Sequence, residues 1–149
     1  MPQIDEAYLK TGRLKYVVRD FPLEKIHPEA FKAAEAAHCA GDKGAFWPMH
    51  ARLFDHQNDL AVEELSGHAK ALGLDVNAFR QCLDSGKYAL RVHRDLADGI
   101  RAGVNSTPTF FIGVPAPDQK MRVVRMIRGA QPFTAFKELI DGLLAQSAS

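Results

Sequence analysis

Hydrophobic residues between Pro28 and Gly103 recur every three or four positions, which is the spacing of amphipathic helices. Five such runs follow one another, and most of them end at a glycine. Their apolar positions are Ala30, Phe31, Ala33, Ala34, Ala37 and Cys39; Phe46, Met49, Leu53 and Phe54; Val62, Leu65, Ala69 and Leu72; Val76, Phe79, Cys82 and Leu83; and Tyr88, Val92, Leu96 and Ile100. The pattern predicts a compact helical block, with Asp75 as the N-cap of its fourth helix and Trp47 in its core.

Two stretches are typical of strands buried on both faces, because apolar or β-branched residues follow one another without alternation. The first is residues 14–21, which contain Tyr16-Val17-Val18, and the second is residues 109–112, which follow Pro108. Residues 121–127 predict a further strand, and the turn residues at 114–118 make it an antiparallel hairpin with the second.

Helices are predicted at both ends of the chain. Ile4 to Leu9 have the pattern of the last turns of a helix that ends at Gly12. Pro132 favours the start of a final helix, whose apolar stripe is Phe136, Leu139, Ile140, Leu143 and Leu144. The order helix, strand, helical block, two strands and helix predicts an α/β fold.

The length of the chain indicates a single domain, and its charge argues against some classes of partner. A chain of 149 residues is the size of one domain and long enough to bury a sizeable core. The net charge is +1 without a basic block, so nucleic acid is not an expected partner. No apolar run approaches the length of a membrane span, and residues 1–5 lack the pattern of a secretory signal. The compartment stays open.

Several motifs, in this order and spacing, resemble the DsbA-like thiol:disulfide oxidoreductase family. They are residues 16–23 (Tyr-Val-Val-Arg-Asp-Phe-Pro-Leu), His27-Pro28, residues 33–37 (Ala-Ala-Glu-Ala-Ala), residues 44–50 (Gly-Ala-Phe-Trp-Pro-Met-His), residues 82–88 (Cys-Leu-Asp-Ser-Gly-Lys-Tyr) and residues 104–111 (Val-Asn-Ser-Thr-Pro-Thr-Phe-Phe). The resemblance implies a thioredoxin-like fold with a helical insertion. It divides the single domain into a helix remnant and strand (1–27), the insertion (28–103) and a segment of two strands and a helix (104–149).

The same resemblance implies a substrate-contact role for Thr107 and Pro108, which match the family's cis-proline loop. The family's C-x-x-C lies at the start of the first helix, and residues 1–12 resemble only the tail of that helix. We therefore expect the first strand and the dithiol to be missing from this sequence, and we assign no catalytic residue.

Cys39 and Cys82 do not replace the dithiol, because a catalytic pair needs closely spaced cysteines on an exposed helix end. Two interpretations stay open for them: buried thiols that pack like small apolar side chains, or a structural disulfide between two facing helices. The six histidines do not have metal-ligand spacing, so neither a metal nor a cofactor is expected.

Three functions are compatible with these observations. The first is a disulfide-forming or isomerising oxidoreductase that is inactive as this chain for want of the C-x-x-C. The second is a non-catalytic module that binds polypeptides. The third is a glutathione-transferase or isomerase branch of the same superfamily. The expected partners are polypeptide thiols or disulfides, and a second copy that covers the open edges of strands 14–21 and 109–112 in a homodimer.

Overall fold

The computed structural model describes residues 2–117 and 120–147. Over these residues the chain forms seven helices and a sheet of two antiparallel strands, which makes it an α/β protein. It divides into two compact units, Met1–Val18 with Val104–Ser149, and Arg19–Gly103.

The first unit contains the sheet. Helix α1 (Pro2–Ile4) continues as one π-helical turn (Asp5–Leu9), strands β1 (Thr109–Pro115) and β2 (Met121–Arg128) form a hairpin, and helix α7 (Phe133–Ser147) follows. Tyr8 packs with Phe136 and Ile140 in the core of this unit, and Phe110 and Ile112 pack against them. The hairpin and the final helix are confirmed.

A bulge interrupts the hairpin after Ile112. Ile112 is opposite Arg125 but Gly113 is opposite Val123, so Val124 has no partner on β1. A Cβ atom at Gly113 would lie 2.3 Å from the carbonyl oxygen of Arg122, closer than two such atoms can approach. Glycine is therefore needed at the bulge.

The second unit is helical. Its helices are α2 (Ala30–Gly41), α3 (Phe46–Asp55), α4 (Val62–Ala71), α5 (Val76–Asp84) and α6 (Ala89–Arg101), so the five predicted helices are confirmed. Asp75 caps α5 as predicted, because its carboxylate accepts from the N–H groups of Asn77 and Ala78. The core is built on the alanines of α2, whose small side chains let the other helices approach closely.

Ion pairs hold the first residues of this unit to its helices. Arg19 Nε donates to Asp95 Oδ1 at 2.5 Å, and Arg19 Nη2 donates to Asp98 Oδ2, so α6 binds the segment where the unit begins. The next residue, Asp20, contacts α2: its carboxylate lies 2.6 Å from Nε2 of the buried His38. The first two residues of the unit are thereby held to two of its helices, α6 and α2.

The prediction of a strand at residues 14–21 is wrong. The segment has no regular secondary structure, and it pairs with no strand in the described part of the chain. Its residues alternate between half-buried and exposed positions, and the side chain of Val17 is 61% exposed. A run of β-branched residues shows strand propensity, whereas a strand also requires a neighbouring backbone to accept its hydrogen bonds.

Burial was overestimated at two other places. Strand β1 exists, but residues 109–112 are half-buried rather than buried on both faces. Trp47 is 49% exposed and Phe54 is 63% exposed, so the prediction of Trp47 in the core is wrong. Helix α3 buries Met49 and Leu53, one turn apart, and Trp47 and Phe54 lie on another face of the same helix.

Candidate functional site

The loop that precedes β1 has an unusual backbone. The peptide bond between Thr107 and Pro108 is cis, and both residues are exposed. The loop begins after α6, which ends at Arg101, and Gly103 has a positive φ of 80°. The loop leads directly into Thr109, the first residue of β1.

Hydrogen bonds hold this loop on both sides of Thr107. Thr109 Oγ1 donates to the carbonyl oxygen of Ser106 at 2.7 Å, and the N–H of Gly129 donates to the carbonyl oxygen of Pro108 at 2.8 Å. Between these two anchors, the N–H and C=O groups of Thr107 have no hydrogen-bond partner in residues 2–117 and 120–147. The loop therefore presents a fixed donor and acceptor to solvent.

The two cysteines lie in the helical unit. Cys39 and Cys82 form a disulfide that joins α2 to α5, with Cα atoms 5.9 Å apart. Of the two interpretations left open by the sequence, the structure contains the disulfide. Cys39 is 4% exposed, so this half of the bridge is shielded from solvent, whereas Cys82 is half-buried.

The disulfide lies beside a shallow depression of about 530 Å³ whose rim includes Asp42 and Lys87. Lys87 Nζ donates to the Asp42 carboxylate at 2.7 Å, and Tyr88 Oη donates to it at 2.5 Å. These two hydrogen bonds hold the pKa of Asp42 below its usual value, and the bond from Lys87 has the larger effect. Both cysteines lie near the C-terminal ends of their helices, where the helix dipole disfavours a thiolate.

A buried carboxylate lies one turn before Cys39. Glu35 is 1% exposed, and neither of its carboxylate oxygens receives a hydrogen bond within the described residues. Lys32 Nζ forms an ion pair with Glu35 Oε2 at 2.8 Å, and the same ammonium group donates a hydrogen bond to the carbonyl oxygen of Leu83. The ion pair with Lys32 therefore compensates the burial of the Glu35 carboxylate.

Aromatic rings surround His50 on α3. The ring of His50 is 4.8 Å from that of Phe54 and 5.7 Å from that of Trp47, measured between centroids. Burial among these rings lowers the pKa of His50, against the opposite effect of the Asp20 charge. His50 therefore packs among the aromatic side chains of α3.

A family model described as Thioredoxin matches residues 1–141. The chain belongs to the thioredoxin family. The predicted fold class, an α/β thioredoxin-like fold, is confirmed by this match together with the helices and the hairpin. At the level of the superfamily, membership associates the chain with functions of the thiol:disulfide oxidoreductase type.

Parts of several longer proteins are similar to this thioredoxin-family chain. The Na(+)/H(+) antiporter NhaA 1 of Salinispora arenicola is 41% identical over 111 residues, which are 74% of the chain and 17% of the antiporter. NhaA 1 of Mycolicibacterium vanbaalenii is 43% identical over 112 residues, or 73% of the chain and 18% of the antiporter. NhaA of Herminiimonas arsenicoxydans is 44% identical over 99 residues, or 66% of the chain and 16% of the antiporter.

The chain thus spans less than a fifth of the length of these curated relatives. No solved structure gives a significant match. None of the described helices of this thioredoxin-family chain is long and apolar enough to cross a membrane. Residues 2–117 and 120–147 also contain no group of three histidine, cysteine or acidic side chains that could hold a metal ion.

The sequence did not point to three features of the thioredoxin domain. The pair formed by Asp20 and His38 joins residues 18 positions apart, and nothing in the local pattern indicates it. The exposure of Trp47 depends on which face of α3 meets α2. The third feature is a row of basic residues on β2, whose signal is the absence of any acidic residue from positions 120–128.

Proposed function

We propose that this chain is the polypeptide-binding domain of a DsbA-like thiol:disulfide oxidoreductase and that the loop at Thr107 and Pro108 contacts the substrate. The observation that supports the proposal is that the N–H and C=O groups of Thr107 have no partner in the described residues, while hydrogen bonds at Ser106 and Pro108 hold the loop on both sides. An extended polypeptide can bind such a loop by accepting from the N–H and donating to the C=O, as in the addition of a strand.

This mode of binding suits substrates of varied sequence. Backbone hydrogen bonds make no demand on side chains, so the loop can bind any extended segment that brings a cysteine or a disulfide to the domain. Each hydrogen bond contributes only about 0.5–1.5 kcal/mol net, so binding through the loop is weak and reversible. Weak binding suits a domain that must release each polypeptide again.

Chemistry at the cysteines of this chain is not part of the proposal. Both cysteines are engaged with each other, 43 positions apart in the sequence, and the sequence contains no C-x-x-C. We expect the polypeptide as it stands to bind substrates without exchanging thiols. The same observation favours the second candidate, a non-catalytic module of the thioredoxin family that binds polypeptides.

The disulfide also bears on the compartment. Disulfides persist in oxidising surroundings and are rare where glutathione and thioredoxin keep thiols reduced. We propose that the domain works in an oxidising compartment, where substrates with unpaired cysteines also occur. The similarity to the antiporters covers about a sixth of each of them, so it supports a shared domain and leaves ion transport outside the proposal.

The division into residues 1–27, 28–103 and 104–149 and the symmetric homodimer remain predictions that accompany this proposal. The dimer would cover the edge of β1 that faces away from β2, whose backbone groups pair with no strand in the described part of the chain. Light scattering at micromolar concentration measures it, and a monomer at all concentrations would contradict it.

The test of the loop is the binding of a fluorescent, extended peptide to the variant Thr107→Pro, which removes the N–H that the proposal uses. We expect binding to weaken about tenfold, the equivalent of one hydrogen bond. The matched control is Thr134→Pro, an exposed residue in the first turn of α7, where a helix needs no N–H. Equal binding by both variants would contradict the proposal.

A second measurement separates the catalytic candidate from the non-catalytic one. In an insulin-reduction assay with dithiothreitol, we expect the chain to show only the background rate of dithiothreitol, because neither cysteine is an exposed, activated thiol. A rate above that background which Cys82→Ser abolishes would show that the helical unit carries a redox centre of its own.

A further inference from the structure

Strand β2 has one edge without a partner. It pairs with β1 on one side, and within the described residues no strand lies on the other side. All five residues from Met121 to Arg125 are exposed. An edge strand of this kind presents a row of N–H and C=O groups that another extended chain can pair with.

The charge on this edge has a single sign. Lys120, Arg122, Arg125 and Arg128 are basic, and positions 120–128 contain no acidic residue. Arg122 and Arg125 form no ion pair and no side-chain hydrogen bond in the part of the chain that the structure describes. Their charges are therefore available to a partner of opposite sign.

Apolar side chains lie between these cations. Met121 is 51% exposed, Val123 is 49% exposed and Val124 is 44% exposed. The bulge leaves Val124 without a partner on β1, and a bulge also increases the local twist of its strand. A partner that binds here would cover three apolar side chains and meet two unpaired arginines.

Charge decides which partner fits. A second copy of β2 placed edge to edge would bring arginine against arginine, which is unfavourable for directly opposed residues. A neutral strand would leave the two guanidinium groups without counter-charges. An extended segment with acidic side chains at alternate positions pairs with the backbone and with the arginines at the same time.

We propose that the free edge of β2 binds an acidic, extended polypeptide segment as a third strand. The site is separate from the loop at Thr107, because it uses the backbone of residues 121–125 and the side chains of Arg122 and Arg125. It would give the domain a second point of attachment to a polypeptide partner, independent of any thiol.

The probe is a capped eight-residue peptide that alternates glutamate and threonine, and the reference is the same peptide with lysine in place of glutamate. We expect the glutamate peptide, and not the lysine peptide, to slow hydrogen–deuterium exchange of amides within residues 121–125. The charge-reversed variant Arg122→Glu with Arg125→Glu should weaken binding of the glutamate peptide about tenfold or more and should bind the lysine peptide instead.

Two further variants keep the test decisive. Arg122→Gln with Arg125→Gln removes the charges without reversing them, and it should show intermediate binding. Arg80→Glu with Arg91→Glu makes the same change of net charge at exposed arginines of the helical unit, and it should bind the peptide like the unmodified chain. The variant Thr107→Pro should also leave this binding unchanged, so that failure here and failure of the proposed function are distinguishable.

Three results would overturn the proposal. The first is equal protection of β2 by the glutamate and lysine peptides. The second is an equal loss of binding in the control variant at Arg80 and Arg91. The third is binding of vesicles that contain anionic phosphatidylglycerol together with no binding of the acidic peptide, which would assign the basic strand to a lipid surface.

Discussion

Removal of the disulfide between Cys39 and Cys82 should cost the helical unit a large part of its stability. The bridge spans 43 positions of the chain. In the chain-entropy model, a bridge that closes a loop of this length stabilises the folded state by about 4 kcal/mol, because it restricts the unfolded chain. Domains of this size are typically stable by only about 5–15 kcal/mol, so the loss should be easy to measure.

The assay is urea unfolding followed by the fluorescence of Trp47, which is the only tryptophan of the chain and lies in the unit that the bridge closes. Three samples are compared: the oxidised chain, the same chain in dithiothreitol, and the variant Cys39→Ala with Cys82→Ala. The reduced chain retains both sulfur atoms, so it separates the loss of the covalent bond from the loss of packing at Cys39, which is almost fully buried.

We expect the reduced chain and the variant to lose about 3–5 kcal/mol each, with the variant slightly less stable. The entropic reasoning would be refuted if reduction changed the free energy of unfolding by less than about 1 kcal/mol. Such a result would mean that the unfolded chain already holds α2 close to α5 without the bridge.

Three other changes test the packing. Gly113→Ala should destabilise the hairpin by about 1–3 kcal/mol in thermal unfolding, because its Cβ would lie 2.3 Å from the Arg122 carbonyl oxygen. In the control variant Gly142→Ala, the new Cβ meets nothing within 4 Å in α7, and the substitution should stabilise the chain by about 0.5–1 kcal/mol. Because burial lowers the pKa of His50, the unfolded state binds its proton more readily; stability should fall as the pH drops below 6.5, and His50→Leu should flatten that part of the urea-midpoint profile. Glu35→Met should leave the unit equally stable or raise its free energy of unfolding by about 1–3 kcal/mol, since it replaces a buried carboxylate that receives no hydrogen bond. A clear loss of stability in urea unfolding would show that the charge of Glu35 is needed.

Local signals in the sequence predicted those parts of the fold that depend on neighbouring residues. Asp75 identified the start of α5 because an N-cap needs only the next three residues. Cys39 and Cys82 lie on the apolar sides of their helices, so a bridge between them was one of two interpretations from the start. The hairpin followed from turn residues between two short apolar runs.

Contacts between distant parts of the chain could not be predicted in this way. The apolar triplet Tyr16-Val17-Val18 has the propensity of a strand, but propensity does not supply a partner, and Val17 is exposed to solvent. Trp47 has the hydrophobicity of a core residue, but the orientation of α3 against α2 decides its burial. At the candidate site, the sequence indicated Thr107 and Pro108 by resemblance alone. The loop is held in place by a hydrogen bond from Gly129 to Pro108, and Gly129 is twenty-two positions away from Thr107 in the sequence.

The ion pairs of Arg19 with Asp95 and Asp98 affect how the chain can evolve. They join the segment where the helical unit begins to the helix with which it ends. A domain whose two ends lie together can be inserted into a host fold, removed from it or exchanged for another domain with little disturbance of the host. Residues 19–103 have this property, so descendants of such a chain can change or enlarge their helical unit while the residues on either side of it keep their own fold.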